Sequence, residues 1–111
     1  MPTFIDCHRF ADVSRAVRQE MHLEAVWSLV DQHGVQPLAH WLTNGVIYCV
    51  VQAPSDEAVC QHHADHGLSC DDLHGIVGLR GRRPLLATEI EILRAAIAAL
   101  WPGDQRVEVA S

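Results

Sequence analysis

Eight of the 111 residues are histidines: His8, His22, His33, His40, His62, His63, His66 and His74. Imidazole is a good ligand for nickel, zinc and copper, and it titrates near neutral pH. The densest run is Cys60-Gln61-His62-His63-Ala64-Asp65-His66-Gly67. On a helix His62 and His66 share one face, a turn apart. Zinc helices of the H-E-x-x-H type hold their ion with that spacing. Here the residue after the first histidine is His63 and not glutamate, so the general base of a metalloprotease is missing. The competing reading is a solvated helix end rich in histidine. A cation-favouring helix C-terminus at His66 would make any metal compete with a proton there.

A second candidate is Asp6-Cys7-His8, near the start. On a strand, residues two apart point to the same face, so Asp6 and His8 form either a metal pair or a polar patch. We expect the metal pair, on the sheet face that the helices leave open. His40 and Tyr48 could reach the same face, depending on register. His22 and His33 read as rim histidines of the first helix, and His74 has no assigned partner. Trp27 is expected in the core, and Trp41 in the core or as a pocket wall. Arg80, Arg82 and Arg83 read as a solvated hinge. No nucleophile motif, phosphate loop or dinucleotide fingerprint is present, so no residue is assigned a catalytic role.

The elements that must position these groups follow from patterning. Thr3 to His8 is short and β-rich. A helix is expected from near Ser14 to His33, ended by Gly34, with Ala16, Leu23, Val26, Trp27 and Val30 as its apolar face. Val35 to Thr43 and Gly45 to Gln52 are strand-like runs broken at Asn44-Gly45, a hairpin signal. Ser55 can cap a second helix that runs to about His66 and stops at Gly67. Leu73 to Gly78 fits a last strand. The order βαββαβ is the ferredoxin-like, α+β motif with an antiparallel sheet. We divide the chain into a core at 1–78, a hinge at 79–84 and a C-terminal segment at 85–111. That last segment holds an extra amphipathic helix, about Pro84 to Trp101, with Leu86, Ile90, Leu93, Ile97, Leu100 and Trp101 on one stripe. Such a stripe must pack on the core or on another subunit.

The formal charge is −6 and lysine is absent, which argues against nucleic acid as a partner. No apolar run is long enough to span a bilayer, and the first residues lack a signal-peptide pattern, so a cytoplasmic protein without membrane contact is expected. Cys7, Cys49, Cys60 and Cys70 contain no C-x-x-C pair and read as reduced, mostly buried thiols.

These residues resemble a family of small bacterial nickel-binding proteins with a ferredoxin-like fold, copies of which also occur fused to signalling domains such as nucleotidyl cyclases. The matching features are Phe4-Ile5-Asp6-Cys7-His8, His33-Gly34-Val35, Trp41, Tyr48-Cys49-Val50, Ala53-Pro54, and His62-x-x-x-His66-Gly67 before Asp71-Asp72-Leu73. The resemblance spans residues 1 to 78 and implies a homodimer with histidine-rich metal sites on its surface. Carried over by position, His8, His62 and His66 fit best. His22 matches with a shift of one residue, and His63 rivals His62. Nickel rests on this resemblance alone; Zn²⁺, Cu²⁺ and Co²⁺ suit the same residue types.

The leading expectation is therefore a protein that binds a divalent transition metal for storage, buffering or sensing, without turnover. A second is a small monooxygenase- or isomerase-type enzyme on the open sheet face, with Asp6 or His8 as base and Tyr48 as a polar handle. A third is a non-catalytic dimerisation or sensory module built around the terminal helix.

Overall fold

The computed structural model describes residues 1–27, 29–43, 45–82 and 84–102, without the side chains of residues 21, 23–27 and 43. Its elements are β1 (Thr3–Arg9), a single 3-10 turn (Phe10–Asp12), α1 (Arg15–Trp27), β2 (Gln36–Thr43), β3 (Val46–Gln52), α2 (Asp56–Asp65), β4 (His74–Ile76) and α3 (Ala87–Leu100). The sheet runs β2-β3-β1-β4 with every pair antiparallel, the ferredoxin-like order. Asn44, the first half of the expected hairpin signal, lies outside the described residues; Gly45 takes a positive φ of 75°, as that turn requires.

The pleat sorts the sheet into two buried faces. Ile5, Trp41, Tyr48 and Val50 lie on one, packed with Leu93 and Ile97 of α3. Ile47, Cys49 and Val51 lie on the other, with Val13, Val35 and Val59. Both faces are covered, so the central strand β3 is apolar almost throughout. Of the stripe expected on the terminal helix, Leu93 and Ile97 are buried, whereas Leu86 caps the helix and is 51% exposed.

Helix α1 stops at Trp27, six residues before the expected end at His33. Asp31 explains the turn that follows: its Oδ1 accepts the backbone N–H groups of His33 and Val35, each at 2.9 Å. Asp side chains compete in this way with helical hydrogen bonds. Val30, assigned to the apolar stripe, is accordingly 58% exposed. Leu23, Val26 and Trp27 carry side chains outside the description.

Helix α2 is built as expected. The Ser55 hydroxyl accepts the Ala58 N–H at 3.1 Å, Asp56 and Glu57 occupy the first turn, and Gly67 leaves the helix at φ +70°. That turn brings the chain back along α2 and corrects the expectation of four reduced thiols. Cys60 and Cys70 lie 5.3 Å apart between Cα atoms and form a disulfide; Cys7 and Cys49 take no part in one. With its cysteines ten positions apart, the bond is expected to contribute about 2.7 kcal/mol by restricting the unfolded chain. Urea denaturation of the Cys60→Ser/Cys70→Ser variant measures that contribution directly.

The hinge is not merely solvated. Glu89, 2% exposed, accepts the Leu86 N–H, the Arg80 N–H and the Arg80 Nε–H, each at 2.9 Å. The Leu86 N–H, followed by the Arg80 groups, holds the Glu89 carboxyl below its ordinary value of 4.5, against the opposing effect of burial. A carboxyl lowered on folding contributes stability above its unfolded value and loses it as pH falls through the folded one. Glu89→Gln should therefore cost roughly 2 kcal/mol near neutrality, typical of a charged hydrogen bond. The difference from wild type should shrink as pH drops below 4.5, which denaturation at a series of pH values would show.

Candidate metal centre

Val59 and His63 lie one helical turn apart on α2. Val59 is fully buried in the apolar cluster under the helix, and this carries His63 down onto the sheet. On the sheet, Asp6 and His8 project from β1 toward α2. The three side chains meet: His8 Nε2 is 2.7 Å from Asp6 Oδ2, and His63 Nε2 contacts the same oxygen. The His8 and His63 rings have centroids 4.9 Å apart. Asp6, His8 and His63 are 2%, 9% and 4% exposed, and one ligand atom from each lies within 4.8 Å of the others.

The proton positions at this triad are constrained. A carbonyl oxygen can only accept, so His63 Nδ1 donates to Val59 O at 2.6 Å. Nε2 is then the nitrogen that faces Asp6. A neutral His63 would set a nitrogen lone pair against a carboxylate lone pair, so a positive centre must lie between them. A second proton on His63 can fill that role, and so can a metal ion. Burial alone would raise the Asp6 carboxyl, but His63 and His8 together lower it. For His63 the balance runs the other way: burial acts to lower its pKa, and the Asp6 hydrogen bond and charge raise it above 6.5. Both shifts favour an imidazolium against a carboxylate in the metal-free site. Two imidazoles and one carboxylate also form a donor set suited to borderline divalent metals. The Nδ1–H bond to a backbone carbonyl is the outer contact that orients such ligands.

Two of the other expected ligands, His62 and His66, lie beside this triad. His62 Nδ1 lies 2.5 Å from Asp31 Oδ2 and His66 Nδ1 lies 3.2 Å from Glu20 Oε2. The His62 and His66 rings are 4.9 Å apart, as their spacing predicts, and His62 stands 5.9 Å from His63. His22 meets His40 edge-on at 5.9 Å. Asp31, His33 and Asp65 form a second, more exposed group of three within 4.8 Å, with His33 Nε2 2.8 Å from Asp65 Oδ2.

Several expectations need correction here. Asp6 and His8 lie on the face toward α2 and not on an open one, because Asp6 pairs with Cys49, whose side chain packs among Val13 and Ile47. His40 also pairs with Cys49 and shares that face, whereas Tyr48 pairs with Cys7 and Trp41 and points the other way. Tyr48 is buried under α3, its ring 5.2 Å from Trp101. The base and handle of the enzyme reading therefore sit on opposite faces. His74 does have a partner: its Nε2 is 2.7 Å from Asp72 Oδ1. Asp31, Glu20 and Asp65 were not anticipated. The recurring Asp-x-His at 6–8, 31–33 and 72–74 was the available local signal, and it yields a bonded side-chain pair at the first and third of these.

Comparison with known proteins agrees with this architecture. A family profile described as nickel-responsive protein, SCO4226-like, matches residues 4–76, which include Asp6, His8 and His63. The crystal structure of SCO4226 from Streptomyces coelicolor A3(2) is similar, with 25% identity over 68% of this chain and 96% of that one and a TM-score of 0.54. No curated protein matches. Among the described residues, no helix is long and apolar enough to cross a membrane. The family match extends from β1 through β4, over more than half of the chain, and the chain belongs to the SCO4226-like nickel-responsive family.

Proposed function

We propose that this protein binds a divalent transition metal, nickel foremost, at Asp6, His8 and His63, and that it buffers or senses the ion without turnover. The observation that carries this reading is the fixed orientation of the His63 ring. Its Nδ1 is committed to Val59 O, which turns Nε2 toward a carboxylate that already meets a second imidazole. The ion replaces the proton between His63 and Asp6, so binding releases a proton. His62 and His66 supply further imidazoles next to the triad. The family's description as nickel-responsive favours nickel among the metals that suit this donor set.

Calorimetric titration tests the proposal. Ni²⁺ is expected to bind saturably, with a heat that depends on the buffer's ionisation enthalpy, and Mg²⁺ is expected not to compete. If a folded His8→Ala/His63→Ala variant titrates with nickel as the wild type does, the triad is not the site.

A further inference from the structure

We propose that the Cys60–Cys70 disulfide is a redox control on the triad: the oxidised protein holds the ion, and reduction by a dithiol weakens that hold. This rests on the metal-binding reading above and adds a regulator to the same site. The disulfide closes a ring from Cys60 to Cys70, and that ring contains His63. His63 is the triad's ligand on α2, whereas Asp6 and His8 both stand on β1. Inside the ring the chain turns back at Gly67, and Leu68 donates its N–H to His63 O at 2.9 Å. Beyond the ring His74 is bonded to Asp72 at 2.7 Å and pairs with Ile5 of β1, next to Asp6. The disulfide thus gives a second, shorter covalent path from the helix ligand to the strand ligands. Distances from ligand to metal are fixed to about 0.2 Å, so a helix that shifts against its strand loses affinity.

A groove of about 600 Å³ meets the triad at His8, and Gly67, Leu68, Ser69 and Asp71 also line it. The triad itself is only 2–9% exposed, so the ion enters along this groove, past a wall that the ring supplies. Ser69 and Asp71 flank Cys70, and both cysteines are partly exposed, so a small dithiol reaches the bond. One thiolate of the dithiol attacks a sulfur of the bond, and the other cysteine leaves as thiolate and takes up a proton. The second thiol of the reagent then displaces the first cysteine and closes its own disulfide. In sum, two electrons and two protons pass from the dithiol to Cys60 and Cys70. With the bond open, the path from His63 to β4 runs through Gly67, a residue of wide conformational freedom.

Nickel affinity is expected to fall by about 5- to 150-fold on reduction, the usual range for two coupled events. Dithiothreitol itself chelates nickel, so the protein is reduced, freed of reagent without air, and titrated with Ni²⁺ beside the oxidised form. Near-ultraviolet circular dichroism checks that each form is folded. The reduced protein and Cys60→Ser/Cys70→Ser should both show the weaker Kd, and reoxidation of wild type should restore the tight one. Saturable binding with the same Kd in both redox states overturns this proposal and leaves the triad standing. Tighter binding on reduction overturns it too, since the freed thiols would then be ligands. So does redox dependence that persists in His8→Ala/His63→Ala, because the control would then act elsewhere. If the serine variant fails to fold, the reduced wild type decides, and unfolding of that form as well means that the bond serves the fold alone. No nickel binding by either form refutes both this control and the metal-binding reading.

Discussion

Asp6→Asn is expected to lower nickel affinity by roughly 100-fold or more, since altering even the outer partners of a metal site costs 10- to 100-fold. Asp6 is the one negative charge in the triad, and the same oxygen meets both His8 and His63. Asparagine keeps the shape but removes the charge that balances a divalent ion in a site only 2–9% exposed. The amide can still pair with His63, by donating its N–H to a neutral Nε2. The metal-free protein should therefore stay folded, with His63 losing the partner that raises its pKa. A thermal scan separates the two effects. Wild type at nickel one hundred times its Kd should gain about 2.7 kcal/mol by mass action. The variant should gain almost nothing at the same concentration. Equal gains in both would show that Asp6 is a structural carboxylate only.

Leu93→Ala/Ile97→Ala is expected to remove most of the stability of the fold. Leu93 and Ile97 are 1% and 0% exposed, and they cover Ile5, Tyr48 and Val50 on the sheet face opposite the triad. Each truncation of this kind costs about 2–5 kcal/mol, and residues a turn apart on one helix are not strictly additive. A combined loss of about 4–8 kcal/mol approaches the total stability of a domain this size. Urea denaturation followed by tryptophan fluorescence would report it, because Trp41 and Trp101 both lie in this cluster. A loss below 1 kcal/mol would mean that α3 is dispensable to the core. If the variant instead becomes dimeric by sedimentation, α3 normally occupies a surface that a second copy can use.

The order of elements was legible because its signals are local: Ser55 and Gly67 bracket α2, and Gly45 turns β2 into β3. The same holds for His62 and His66, whose proximity is a property of one helix. The early end of α1 was harder to see, since the turn after it is held by Asp31, which bonds N–H groups further along the chain. The triad was only half legible. The spacing of Asp6 and His8 shows that they share a face, but the parity of the pleat, which decides which face, depends on pairing with Cys49 more than forty residues away. His63 enters through the docking of α2, so an i, i+4 rule that favours His62 and His66 passes over it. The disulfide was missed for a related reason: composition says that a core is possible without staples, while the return of the chain at Gly67 decides which cysteines meet.

The most direct test is a crystal of the wild-type protein soaked in nickel, with anomalous differences measured on both sides of the nickel absorption edge. We predict a peak within coordination distance of Asp6, His8 and His63, with the His63 Nδ1–H still bonded to Val59 O. A metal-soaked crystal with nickel only at exposed histidines, and none between Asp6 and His63, would contradict the central claim.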